Sequence, residues 1–116
     1  MIILFSLFSL FAQADTFSKK ILKVGPHHFS VVEVRPSVWV NEDCTKTCDA
    51  LKAVEQLSKR SPGEMNVAGG VNPGSWRCKM MAHGNVFIAQ DDAGNQQSFC
   101  RFKDASFVNN GALKTK

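Results

Sequence analysis

Apolar and polar positions alternate in two parts of the chain and recur at three- and four-residue steps in another. Residues 29–41, Phe29-Ser-Val-Val-Glu-Val-Arg-Pro-Ser-Val-Trp-Val-Asn41, are rich in β-branched and aromatic types. Pro36 has no backbone N–H to give to a ladder, so this stretch predicts two short strands or an edge strand with a break. From Asp43 to about Arg60 the period changes. Cys48, Leu51, Val54 and Leu57, with Ala50 and Ala53, form one apolar stripe at helical spacing. Asp43 or Thr45 is placed to cap the start of that helix, and Lys59-Arg60 suit the negative end of its dipole. Ser61-Pro62-Gly63 ends it.

Residues 61–71 shift to Pro, Gly, Asn and Ala and read as a connector. Asn72-Pro73 then offers a second helix start, with Asn as cap and Pro at the first helical position. Trp76 and Met80 share a face of that short helix, and His83-Gly84 supplies the stop, with Gly84 free to take a positive φ. Val86–Gln90 and Gln97–Lys103 read as the strands of a hairpin closed by Asp91-Asp92-Ala93-Gly94-Asn95. Cys100 and Phe102 fall on one face of the returning strand, Arg101 and Lys103 on the other. Asn110-Gly111 marks a last turn before a frayed, basic end. The predicted fold class is α+β: a small single domain with one main helix, a short helix and antiparallel hairpins, stabilised by disulfides.

The first fourteen residues change the setting of that domain. Met1 to Ala14 is an uncharged apolar run ending in Ala12-Gln13-Ala14, the pattern of a signal peptide with its small-residue cleavage site. It is shorter than the roughly 20 apolar residues that span a bilayer. The expected mature domain is 15–116, exported to a periplasmic or extracellular compartment, with no membrane span. The net charge of +4 comes from scattered Lys and Arg with no run of five or six like charges, and nothing matches a nucleic-acid motif. No nucleic-acid partner is expected.

Four cysteines in an exported chain, Cys44, Cys48, Cys78 and Cys100, predict two disulfides. Around two of them the chain resembles a known family. Asn72-Pro73-Gly74-Ser75-Trp76-Arg77-Cys78, then Gly84, a hairpin with Asp92-Ala93-Gly94, and Phe99-Cys100-Arg101-Phe102-Lys103-Asp104-Ala105-Ser106 look like the bacterial domain of unknown function 333. The resemblance covers about residues 70–113. Gly74 stands where that family has Ala, and Ala105 stands at the middle Gly of its Asp-Gly-Ser. The family often carries a hemolysin label, and it implies pairing of Cys78 with Cys100. Cys44 and Cys48 then remain. Their Cα atoms are within disulfide reach, but in a regular helix the Cβ atoms of such a pair sit too far apart. Cys44 must therefore lie at or before the cap. Long-range links, Cys44–Cys100 with Cys48–Cys78 or the other cross, stay open as rivals.

Other chemistries find little support. Cys44-Thr-Lys-Thr-Cys48 has three intervening residues, against two in thioredoxin-like redox motifs. His27-His28 and His83 lack any partner at metal-ligand spacing, so no metal or cofactor is expected. Asp91-Asp92-x-Gly94-Asn95 lacks the alternating ligands of an EF-hand. Ser, His and Asp occur without a nucleophile elbow, so no catalytic residue is assigned. Trp39 and Trp76 read as core or half-buried residues. The leading expectation is a non-enzymatic binding or interaction domain facing an unknown protein or envelope component, acting through loop 91–95 or connector 61–75. A secreted effector or inhibitor, toxin-like as the family label hints, and a thiol–disulfide protein using Cys44 and Cys48 are the alternatives.

Overall fold

The computed structural model describes residues 18–44, 46–61 and 73–115. The proposed signal segment, Thr45 and Asn72 as caps, and connector positions 62–71 lie outside the described residues. Six strands form a closed antiparallel barrel, which corrects the α+β expectation: the molecule is mostly β, with two short helices added to the barrel. The strands are β1 (Ser18–Val24), β2 (His27–Arg35), β3 (Val38–Asn41), β4 (Asn85–Gln90), β5 (Gln96–Arg101) and β6 (Phe107–Asn109). Their order around the barrel is β1-β2-β3-β6-β5-β4.

Two strands unforeseen in the sequence account for the correction. β1 alternates Lys19, Ile21 and Lys23 with Lys20, Leu22 and Val24, so lysines fall on both faces and mask its period of two. β6 is only three residues long, too short for a period to show. Without these two, the remaining strands read as separate hairpins. With them the sheet closes and has no free edge.

Turns set the registers. Gly25-Pro26 joins β1 to β2 with Gly25 at φ 59°, the residue type that a primed two-residue hairpin needs at its first central position. Pro36 does split the 29–41 stretch, between β2 and β3. Ser37 takes φ 65° there, and the Glu33 carboxylate accepts its N–H at 2.9 Å. The β3–β6 seam has one backbone pair, Val40 with Val108, and two asparagines extend it. Asn41 Oδ1 accepts the Phe107 N–H at 2.9 Å, and Asn109 Oδ1 accepts the Trp39 N–H at 2.8 Å. The Asn109 Nδ2 also donates to the Ser37 carbonyl at 3.0 Å.

Alternation along the strands makes two cores. Leu22, Val31, Ala89 and Phe99 are buried inside the barrel, with Phe29, Trp39, Phe87 and Phe107 packed against them. The opposite faces of the same strands, Val32, Val38, Val40, Cys100 and Val108, pack under helix α1 (Asp49–Lys59) through Leu51, Val54 and Leu57. A helix roughly 10 Å across lies on the outside of so narrow a barrel. Ala112 and Leu113 complete this outer core, so the chain remains packed through Leu113, where a frayed end was expected.

Helix α1 starts later than its sequence signals. Cys48 stands at the cap and Cys44 precedes the helix, which lets the two form a disulfide across a Cα separation of 5.6 Å. The capping groups come from far along the chain: Asp104 Oδ2 accepts the Asp49 N–H at 2.8 Å, and Ser106 Oγ accepts the Ala50 N–H at 2.9 Å. Helix α2 (Pro73–Trp76) widens into a π-helical segment, Arg77–Met81, that carries Cys78 to its partner Cys100. Gly84 serves this disulfide. A Cβ there would lie 2.9 Å from the Arg101 carbonyl oxygen and closer still to the Cys100 sulfur. The positive φ at this stop belongs to His83, at 59°, rather than to Gly84 as the sequence suggested. No described helix is long and apolar enough to cross a membrane.

Candidate binding cavity

One end of the barrel opens into a cavity of about 780 Å³. Its elements are the β1–β2 turn, the start of β4, the end of β5 and the loop that leads to β6. Phe29, Phe87 and Phe107 form its apolar floor. These rings meet edge to face: Phe29 and Phe107 have centroids 5.2 Å apart at 81°, and Phe87 and Phe107 5.3 Å apart at 87°. Behind them Phe99 is fully buried and stacks on Phe87 at 5.5 Å. A six-stranded barrel is narrow enough for four phenylalanine side chains to fill much of its bore. The cavity is what remains at the mouth, where the strands end.

The rim is basic. His27, His83, Arg101 and Lys103 line it, and no Asp or Glu does so among the described residues. Arg101 pairs with Asn85 on one side and Phe107 on the other, at the last position of β5. Its register puts it on the face that carries Phe99, toward the mouth. His27 opens β2, and His83 leaves the π-helical segment in a left-handed conformation. That conformation is set by two backbone bonds, Ala82 N–H to the Arg77 carbonyl and Gly84 N–H to the Cys78 carbonyl. The disulfide below therefore helps to aim the imidazole-bearing residue at the rim.

The loop carrying Lys103 and Ala105 is held firmly. Phe102 N–H donates to the Ser106 carbonyl and Ala105 N–H to the Phe102 carbonyl, both at 2.9 Å. Asp104 Oδ1 accepts the Ser106 hydroxyl and N–H, while Oδ2 caps helix α1. The Ser106 hydrogen bond, and then the Asp49 amide, hold the Asp104 carboxyl below its ordinary pKa by favouring the charged form. One loop thus caps a helix on one side and walls a cavity on the other. A second concavity of about 410 Å³ runs beside α1 and shares His83, Phe102 and Lys103 with the mouth.

Trp39 and Lys20 stand at the opposite end of the barrel. Lys20 Nζ lies 4.2 Å from the centroid of the Trp39 ring, a cation–π contact over an inward-facing residue. Loop 91–95, singled out from the sequence, also lies at that end. Asp91 Oδ1 accepts the Ala93 and Asn95 N–H groups and Oδ2 the Asn95 side-chain amide. Those bonds, the Asn95 side chain foremost, lower the Asp91 pKa, and they employ its carboxylate in shaping the turn. Among the described residues no group of three or more His, Cys, Asp or Glu could hold a metal ion.

The cysteines pair locally, Cys44–Cys48 and Cys78–Cys100, and the long-range alternatives are not realised. Cys44 is 2 % exposed and belongs to the core beneath α1. His27, His83, Arg101 and Lys103, dispersed in sequence, are brought together. Nothing local announced that gathering, since it depends on the barrel's closing. The available signal was Phe29, Phe87, Phe99 and Phe107 at inward strand positions. No family model, no curated protein and no solved structure matches the chain.

Proposed function

We propose that this is an exported small-molecule binding domain whose site is the open mouth of the barrel. The observation that carries this reading is the cavity itself, concave and floored by three phenylalanines at one end of a cross-linked barrel. Mouths of small barrels are common ligand sites, and 780 Å³ is within the usual range for drug-sized molecules. Two disulfides suit an oxidising compartment, periplasmic or extracellular. A rigid scaffold beneath mouth-lining loops favours binding without large rearrangement.

The test is a titration of the full, disulfide-intact chain with 2-naphthamide, an uncharged aromatic probe, followed through its phenylalanine ring signals. Saturable shifts of Phe29, Phe87 and Phe107 are expected. Shifts confined to the outer strand faces, where Ile21 and Ile88 are each 54 % exposed, would overturn the reading.

A further inference from the structure

The geometry points to an aromatic carboxylate as the class of ligand that this mouth takes, an inference that rests on the cavity being the binding site. Its basis is the separation of chemistry between floor and rim. The floor presents ring edges and faces to the bore, because Phe107 meets both Phe29 and Phe87 nearly at right angles. A flat aromatic body satisfies both the electron-poor edges and the electron-rich faces that such an arrangement leaves open. A flexible chain fills the same volume but gains only from burial, and it loses rotamer freedom on entry.

Arg101 and Lys103 give the rim positive charge. Arg101 and Lys103 are exposed at the ends of a strand and a fastened loop, and His27 and His83 face the same opening from two other segments. An arginine fork matches a carboxylate in two parallel hydrogen bonds, and the lysine adds a compact charge beside it. No acidic side chain lines the mouth among the described residues, so an entering cation meets only like charge. The nearest carboxylate in the rim loop, Asp104, points away and is spent on helix α1 and Ser106. A ligand with an aromatic body and one carboxylate at its edge places each part against its complement.

Three probes of one shape test this on the full, disulfide-intact chain: 2-naphthoate, neutral 2-naphthamide and the cation 2-naphthylmethylammonium. Calorimetry gives affinities, and the phenylalanine ring signals give the location. Naphthoate is expected to bind at least tenfold more tightly than naphthamide and the ammonium probe not to bind. Rising salt should weaken naphthoate and leave naphthamide unchanged. Replacing both exposed residues, Arg101→Gln with Lys103→Gln, should remove the tenfold preference while naphthamide still binds. Equal affinity for carboxylate and amide, or a preference that survives the double variant, overturns the anion inference and leaves the cavity reading standing. If no probe moves Phe29, Phe87 or Phe107, the cavity reading itself falls.

Discussion

The two faces of this one sheet are built from the same strands and serve opposite ends. The outer face is aliphatic, covered by helix α1, crossed by the Cys78–Cys100 disulfide and closed by Leu113. The inner face sets a cluster of phenylalanine rings against Leu22, Val31 and Ala89, and it is open at one end. Alternation gives each neighbouring pair, Val31 and Val32 or Phe99 and Cys100, one member on either side. The contrast teaches where rigidity and vacancy come from. Cross-links and caps concentrate on the outer face, and the inner face is free to leave volume unfilled at the mouth.

The largest expected effect breaks the inner face. Phe99 is fully buried and touches the rings of Phe29, Phe87 and Phe107. Phe99→Ala should cost about 3–5 kcal/mol in a denaturant titration, through lost burial and the hole it leaves. It should also disorder the floor, so the three remaining ring signals should broaden. A cost below about 1 kcal/mol would show that the rings are not a packed unit. On the outer face, replacing Cys78 and Cys100 together by Ala should cost about 3 kcal/mol, from the 22-residue separation that the bond closes. Because that bond underlies the turn to His83, the variant should perturb the rim while the ring signals of the floor stay in place.

The β3–β6 seam, one of the two that join the halves of the barrel, gives a smaller effect. Asn109→Ala removes the acceptor for the Trp39 N–H and the donor to the Ser37 carbonyl. The expected cost is about 2 kcal/mol, with faster amide exchange at Trp39 as the local signature. Unchanged protection there would mean that the backbone pair at Val40 and Val108 carries the seam alone.

The cap on helix α1 separates the faces by pH. Asp104 is held below its ordinary pKa by Ser106 and the Asp49 amide, so the folded state favours the ionised form. Its contribution is present above the unfolded-state value near pH 4 and is lost as pH falls through the lower folded value. Asp104→Ala should cost about 1 kcal/mol at neutral pH and flatten that acid limb. Helix amides at Asp49 and Ala50 should lose protection while Phe99 does not. If the acid limb of stability is the same in the variant, Asp104 is not its source.

The outer face was far more legible in the sequence than the inner one. The stripe from Ala50 to Leu57 is local and periodic, and the four cysteines declared themselves by number and spacing. The hairpin of β4 and β5 was readable for the same reason. β1 was not, because its lysines stand on both faces, Lys20 on the inner one with its ammonium over the Trp39 ring. Three residues of β6 carry no period, yet they close the barrel. The mouth was hidden by the same gap: His27, His83 and Arg101 meet only once β1 and β6 have joined the hairpins. The remote cap on α1 was masked by Asp43 and Thr45, which satisfied the local rule and drew the helix start too early.

The smallest expected effect tests whether the rim loop is strained. Ala105 has φ 73°, a left-handed conformation that costs an L-residue about 1–2 kcal/mol and glycine almost nothing. The loop imposes it, since the Ala105 N–H bonds the Phe102 carbonyl while Asp104 and Ser106 on either side are committed to helix α1. Ala105→Gly relieves that cost in the folded state. It also widens the unfolded ensemble, which takes back about 0.4–1 kcal/mol. The balance is a gain of about 0.5 kcal/mol, read as a higher denaturant midpoint with an unchanged slope. The methyl group lines the cavity and makes no hydrogen bond, so naphthoate affinity should change by less than about twofold. A lower midpoint would mean that the Ala105 methyl group stabilises the loop through packing at the mouth by more than the backbone strain costs it, making the rim a tighter structure than its exposure implies.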